Sequence, residues 1–174
     1  MVQQKIRQLT DDLEPLFATA EEGVHRAVSC AERDAIRVSF AAGYYDQLEL
    51  KLINYIAKYV AVGYLHQLFY VYYEVKLARW RGEEASHICS LAQRALELTK
   101  GAGEIPDCKA KNYTYTELEL LLTLIEYGDE QWRNAEKKEI GLLKIIQYVR
   151  LYFEDERRMG IEDRAWQLLV TEKE

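Results

Sequence analysis

The sequence is poor in residues that break or cross-link a chain: its 174 residues include two prolines, three cysteines and nine glycines. The cysteines (Cys30, Cys89 and Cys108) have no neighbour at metal-ligand spacing, so we expect reduced thiols in a cytoplasmic protein. No apolar run approaches the roughly 20 residues of a membrane-spanning helix. The N-terminal residues lack a basic stretch followed by an apolar core, which predicts no secretory signal.

Positive charge is scarce as well, since 23 Lys and Arg are outnumbered by 29 Asp and Glu and the net charge is −6. Phosphate binding depends on clustered basic side chains, so we expect no direct nucleic-acid contact by this chain. The sequence also has no His-x-x-Glu, no Cys-x-x-Cys and no glycine-rich phosphate loop. These motifs accompany metal catalysis and phosphoryl transfer. We therefore expect no metal, no cofactor and no catalytic residue.

The residues that are present favour helices. Nothing alternates with the period of two that a half-buried strand requires, so the chain is predicted to be all-α. Pro15 is expected to bend a lead segment near 3–21, and Pro106 lies in the principal loop at 100–112. Further helices are predicted at 24–42, 45–59, 62–81, 84–100, 114–127, 135–153 and 155–171.

Glycines occur at the junctions between these helices. Gly43, which suits a left-handed helix cap, Gly82 and Gly128 each separate a long helix from an amphipathic partner. Short turns make neighbouring helices antiparallel, and stacked pairs of this length are solenoid units. We predict a lead segment at 1–22 and a repeat domain at 23–174, built as a right-handed stack of antiparallel helix pairs with degenerate repeats.

The helix at 62–81 is apolar or aromatic over most of its surface, which is typical of a helix packed on several sides. At 100° per residue, one narrow polar line remains, which we call the polar seam. The seam consists of Gly63, Gln67, Tyr70, Glu74 and Arg81. The aromatic residues of this helix are expected to be core rather than a stacking platform for a ligand, because aromatic side chains carry much of the buried area of a small core. They are Tyr64, Phe69, Tyr70, Tyr72, Tyr73 and Trp80.

Two motifs resemble tetratricopeptide repeats: Gly43-x-Tyr45-x-x-Leu48, and the sequence ALEL at 95–98. A narrower resemblance covers roughly 41–158. Its landmarks, in order, are Leu77–Glu83, Ala95–Thr99, Tyr115–Gly128 and Leu142–Arg158. In that order and spacing, the chain resembles the tetratricopeptide-like regulatory region of Xre-type helix-turn-helix transcriptional regulators of clostridia and related Firmicutes.

This resemblance implies a non-catalytic sensing and interaction module of a transcriptional regulator. Some relatives in that family bind short signalling peptides on the concave face of the array. Residues 1–60 contain no compact helix-turn-helix and no basic cluster, so DNA binding is expected only if such a domain precedes this chain.

In arrays of this kind the first helix of each pair lines the concave face, so its polar residues are candidates for binding a peptide or protein. Gln and Tyr side chains can bond a peptide backbone, and an arginine can bind a carboxylate in a bidentate fork. The predicted ligand-binding residues are Arg33, Arg37, Gln67, Tyr70, Glu74, Glu119 and Thr123. A competing interpretation is that the arginines form ordinary salt bridges with Glu74 and Glu119.

Three alternatives stay open. Arg81 and His87 have the Arg-x5-His spacing of certain helical ribonucleases, although such a permissive spacing often arises by chance. A structural scaffold without a ligand is the second. The third concerns assembly, because no later helix covers the apolar residues of the last helix. Those residues are Ile161, Ala165, Trp166, Leu168 and Leu169. They predict a homodimer, unless the helix packs them back onto 135–153.

Overall fold

The computed structural model describes residues 11–20, 23–99 and 112–173, and within these ranges it is helical and contains no strand. This confirms the all-α prediction. The helices are α1 (Glu14–Ala20), α2 (Gly23–Ala42), α3 (Tyr45–Tyr59), α4 (Tyr64–Arg81), α5 (Ala85–Leu98), α6 (Tyr115–Glu126), α7 (Ala135–Tyr152) and α8 (Asp155–Lys173). A 3-10 turn, Glu130–Trp132, precedes α7. Among the described helices, none combines the length and the apolar character that crossing a membrane requires.

The predicted helices coincide with α2 to α8 within a few residues at each end. Pro15 lies in the first turn of α1, where the N–H that proline lacks would have no helical partner. Residues 11–13 before α1 are not helical, so α1 is shorter than the predicted lead helix. The start of that lead segment and nearly all of the predicted loop at 100–112 lie outside the described residues.

Two of the predicted turns show why glycine is required there. Gly43 and Gly128 have φ values of +78° and +71°, in the left-handed region that other residues rarely adopt. The amide after each glycine donates back to the helix, from Tyr44 to the Ser39 carbonyl at 2.9 Å and from Asp129 to the Leu124 carbonyl at 3.0 Å. This pattern satisfies carbonyls that the helix end would otherwise leave open.

The chain divides into two compact units, with the boundary between Arg81 and Gly82. In the first unit α3 packs against both α2 and α4. The interior of this unit is formed largely by α4, in which Phe69, Tyr72 and Tyr73 are buried. Every residue of the polar seam is half-buried or exposed, so the predicted facing of α4 is confirmed.

Two aromatic residues of α4 depart from the expectation that they belong to the core. Tyr64 and Trp80 are 55% and 56% exposed. They stand near the two ends of the helix, where fewer neighbours surround a side chain. Trp80 stacks on Tyr45 of α3, with ring centroids 4.1 Å apart. Tyr70, the aromatic residue of this helix that also belongs to the polar seam, is half-buried.

In the second unit α6 is the most buried element, with residues 115–125 all buried. Thr114 caps it by accepting a hydrogen bond from the Glu117 amide at 3.1 Å, as a threonine at this position of a helix commonly does. Helix α6 packs against α5, α7 and α8, and α7 packs against α8. In α8, Ile161, Ala165 and Leu169 are buried, because this helix packs its apolar side onto its neighbours.

Candidate functional site: a buried arginine cluster

Two arginines of α2 are the most unusual residues of the first unit. Arg33 and Arg37 are 0% and 1% exposed, although both carry a positive charge. They are four residues apart and therefore lie on one face of α2. A buried charge is very costly unless it is paired and hydrogen-bonded. The partners of these two guanidiniums accordingly determine what the site can bind.

The carboxylate of Asp11 is the main partner of Arg37. Arg37 Nε donates to Asp11 Oδ2 at 2.7 Å, and Arg37 Nη2 donates to Asp11 Oδ1 at 2.9 Å. This is the bidentate fork in which a planar guanidinium binds a carboxylate most specifically. Asp11 also accepts a hydrogen bond of 2.6 Å from the Tyr73 hydroxyl of α4.

Glu14, the first residue of α1, bridges the two arginines. It accepts hydrogen bonds from Arg33 Nε and Nη2, the second at 3.2 Å, and from Arg37 Nη1 at 2.9 Å. Asp34 of α2 accepts a further bond from Arg37 Nη1 at 3.1 Å. We call Asp11, Glu14, Arg33 and Arg37 the arginine cluster.

Aromatic and polar side chains of α1, α3 and α4 enclose the arginine cluster. Phe17 of α1 is fully buried, and its ring faces the Arg33 guanidinium and the His66 ring. Arg33 Nη1 donates to the Tyr55 hydroxyl at 3.1 Å, and that hydroxyl lies 2.6 Å from His66 Nδ1. A continuous hydrogen-bonded chain therefore runs from Glu14 through Arg33 and Tyr55 to His66, which raises the energetic cost of losing any one member.

The charges stabilise one another. Burial raises the pKa of Glu14, but the hydrogen bonds and positive charges of Arg33 and Arg37 outweigh that effect and lower it overall. Burial acts in the opposite sense on the arginines and would lower their pKa. The carboxylates of Glu14 and Asp11 reverse this, so the pKa is raised at both Arg33 and Arg37. Glu14, Arg33 and Arg37 are therefore ionised at neutral pH, and the two guanidiniums are paired with carboxylates of the chain itself.

Three of the predicted seam residues lie on a face of α4 next to the face that contacts this cluster. Helix α4 directs His66, Phe69 and Tyr73 toward α1, α2 and α3. Because residues along a helix are 100° apart, the half-buried line of Gln67, Tyr70 and Glu74 lies on the neighbouring face. Gln67 Nε2 donates to the carbonyl oxygen of Val60 at 3.3 Å, in the turn before α4.

The other two predicted residues, Glu119 and Thr123 of α6, belong to the second unit and are buried. Both are near Arg164 of α8. Arg164 Nη1 is 3.8 Å from Glu119 Oε1, and Nη2 is 3.3 Å from the Thr123 hydroxyl oxygen and 2.7 Å from Glu126 Oε2. Thr123 also donates to the Glu119 carbonyl oxygen at 2.9 Å. An arginine of the chain's own last helix thus engages the polar line of α6.

Sequence reasoning identified Arg33 and Arg37 but missed their partners. Within the described residues, Arg33 and Arg37 both form ion pairs with Glu14, and Arg37 also pairs with Asp11 and Asp34. Pairing with Glu74 or Glu119 stays a prediction. A signal was present, since two arginines four residues apart flank Ile36 on the apolar face of α2 and therefore require buried anions. Asp11 and Glu14 beside Pro15 were candidates for that role.

The two residues of the ribonuclease alternative each interact with a nearby glutamate. Arg81, at the end of α4, pairs with Glu49 of α3. His87, in the first turn of α5, is 52% exposed, and its Nε2 is 3.9 Å from Glu83 Oε1.

Comparisons with protein-family models, with curated proteins and with solved structures give no match for this chain.

Proposed function

We propose that this chain is a non-catalytic recognition module that binds a peptide or protein partner in a groove of a tetratricopeptide-like helical array. One observation carries the proposal. Arg33 and Arg37 bind the carboxylates of a separate short segment by bidentate and bridging hydrogen bonds. This is the chemistry by which a helical array recognises acidic groups of a peptide.

The seam on α4 supports the same function. Gln67, Tyr70 and Glu74 are partly accessible and carry side chains that can bond a peptide backbone or a basic side chain. They lie on the same helix as the buried Phe69, Tyr72 and Tyr73, and a preformed groove binds with less loss of conformational freedom than a flexible one. The glycine turns between successive helices favour the proposed array, in which degenerate repeats are built from antiparallel helix pairs.

The resemblance to regulatory regions of Xre-type transcriptional regulators supplies the biological context of the proposal. The chain would then act in the cytoplasm as the sensing part of a regulator. DNA would be bound by a helix-turn-helix domain of that regulator, not by this chain.

The test is a screen of short peptides by thermal melting. A ligand that binds only the folded state raises the melting temperature, and the rise becomes larger as the ligand concentration increases. We expect a peptide that stabilises the wild type and stabilises a Gln67→Ala, Glu74→Ala variant less. The matched control is Gln47→Ala with Asn54→Ala, two exposed positions of α3, which should respond as the wild type does. Equal stabilisation of all three proteins would remove the seam from the site, and a screen without any stabilising peptide would favour the scaffold.

A further inference from the structure

Helix α8 is apolar on two faces, one buried and one exposed. The buried face carries Ile161, Ala165 and Leu169, which pack against neighbouring helices. The exposed face carries Met159, Trp166 and Val170. A helix on the surface of a single molecule normally has one apolar stripe, which faces the core. The second apolar stripe of α8 therefore indicates a contact outside this molecule.

The exposed apolar residues of the second unit are concentrated on its last two helices. Among the described residues of this unit, the large apolar side chains that are exposed all belong to α7, as Ile140 and Leu143 do, or to α8. The exposed residues of α5 are instead polar or small. The terminal helix of a helical array needs either a polar outer face or a partner. Helix α8 has no such polar face, so it needs a partner.

The exposed stripe of α8 has a spacing that reads the same in both directions. It consists of Met159, Asp163, Trp166 and Val170, which follow one another at steps of four, three and four residues. We call these four residues the α8 stripe. Steps of three and four place side chains on one face of a helix. If two copies of α8 lie antiparallel about a two-fold axis between Asp163 and Trp166, each Met159 meets Val170 of the other copy, and each Asp163 meets Trp166. A symmetric dimer requires a surface that is complementary to itself in this way.

Arg150 of α7 gives the α8 stripe a complementary charge. The connection between α7 and α8 is short, so the two helices lie antiparallel. The guanidinium carbon of Arg150 lies 5.9 Å from the centroid of the Trp166 ring. Arg150 is exposed and pairs with Glu162 of its own chain. Because Asp163 of one copy meets Trp166 of the other, its carboxylate also approaches Arg150 of that copy.

We propose that this chain forms a symmetric dimer in which the α8 stripes of two copies pack antiparallel, with an ion pair between Asp163 of each copy and Arg150 of the other. The partner that covers the exposed face is thus a second copy of this chain. The contact uses α7 and α8 of the second unit, so it does not depend on the recognition function proposed for the seam of α4.

The charges of the α8 stripe select the antiparallel arrangement. In a parallel pair of helices in register, the two Asp163 carboxylates would face each other, and like charges across an interface are unfavourable. The antiparallel pair places an arginine opposite each carboxylate instead, and it also aligns the two helix dipoles favourably. Trp166 lies next to the axis, and tryptophan and arginine are the residue types that most often dominate the binding energy of an interface.

The experiment exchanges the two charges in the full chain and measures the dimer by sedimentation velocity. Asp163→Lys places a lysine opposite Arg150 of the second copy, and Arg150→Glu places a glutamate opposite Asp163. Each variant alone should dissociate with a constant at least about tenfold higher than that of the wild type, because like charges then meet twice in the dimer. An equimolar mixture of the two variants should regain the dimer, since both ion pairs between the chains are then attractive.

The matched control is Glu97→Lys, which makes the same charge change at an exposed position of α5 and should dimerise as the wild type does. A wild type that is monomeric at micromolar concentrations would overturn the proposal. It would also be overturned by an Asp163→Lys variant that dimerises as the wild type does, or by folded variants whose mixture stays monomeric. If circular dichroism shows that Arg150→Glu does not fold, the comparison of Asp163→Lys with Glu97→Lys decides.

Discussion

The guanidinium carbon of Arg33 lies 3.6 Å from the centroid of the Phe17 ring. A cation over an aromatic face is stabilised by the ring quadrupole, and the effect is larger when both groups are removed from water. Here the contact joins α2 to α1 at the point where Glu14 neutralises the same arginine. Arg33 of α2 thus contacts both the carboxylate of Glu14 and the aromatic ring of Phe17.

The facing of α4 predicts unequal costs of truncation. Phe69 and Tyr72 are 0% and 1% exposed, so alanine at either position should lower the free energy of unfolding by about 3–5 kcal/mol. Gln67→Ala, on the half-buried seam, should cost about 0.5 kcal/mol or less. Urea melts of the three variants measure these free energies of unfolding. Equal losses would mean that the assignment of the buried and the half-buried face of α4 is wrong.

Glu14 should make the stability depend on pH in the acid range. Its pKa is lowered from 4.5 in the folded state, so its contribution is present above that pH and is lost as the pH falls through the lower folded value. Glu14→Gln should cost about 1.5–3 kcal/mol at pH 7 and lose less stability on acidification than the wild type. Urea melts across the acid range provide the measurement. A Glu14→Gln variant with the wild-type slope would contradict the assignment.

Gly141 of α7 should not tolerate even a methyl group. A Cβ built there would lie 2.6 Å from Cζ3 of the buried Trp132. Gly141→Ala should therefore destabilise the chain by about 1–2 kcal/mol, since overpacking outweighs the gain in helix propensity. The control is Gly63→Ala, where a Cβ would meet nothing within 4 Å. Thermal melts in which Gly141→Ala is as stable as the wild type would contradict this placement of Trp132.

The predicted homodimer now depends on fewer residues of α8. Ile161, Ala165 and Leu169 are buried within the chain, whereas Trp166 is 40% exposed. We expect light scattering at micromolar concentrations to give a dimer mass for the wild type and a smaller mass for Trp166→Glu. Gln167→Glu, at the exposed neighbouring position, is the control with the same charge change. A monomer mass for the wild type would mean that α8 packs only within its own chain and forms no dimer interface.

The ribonuclease alternative has a direct assay. We expect no RNA cleavage by the wild type, and no difference between the wild type and His87→Ala. Cleavage that disappears in His87→Ala but persists in Ser90→Ala, an exposed position of the same helix, would instead establish the enzyme.

Helix positions and facing could be predicted because they depend on local signals. Gly43 and the apolar spacing at Leu48 and Leu52 determine α3 within one stretch of sequence, and the 100° rule separates Phe69 from Gln67 within one helix. The arginine cluster depends on contacts between residues far apart in sequence. Asp11 and Arg37 are separated by 26 residues, and no local pattern specifies which carboxylate meets which arginine.

The division of the chain at Arg81 and Gly82 has a thermodynamic consequence. Each unit has its own buried core and its own arginine that engages polar groups of a neighbouring helix. Cooperative unfolding follows such self-contained sets of contacts. The chain is therefore expected to melt as two foldons, so that a substitution near Arg37 shifts one transition and a substitution near Arg164 shifts the other.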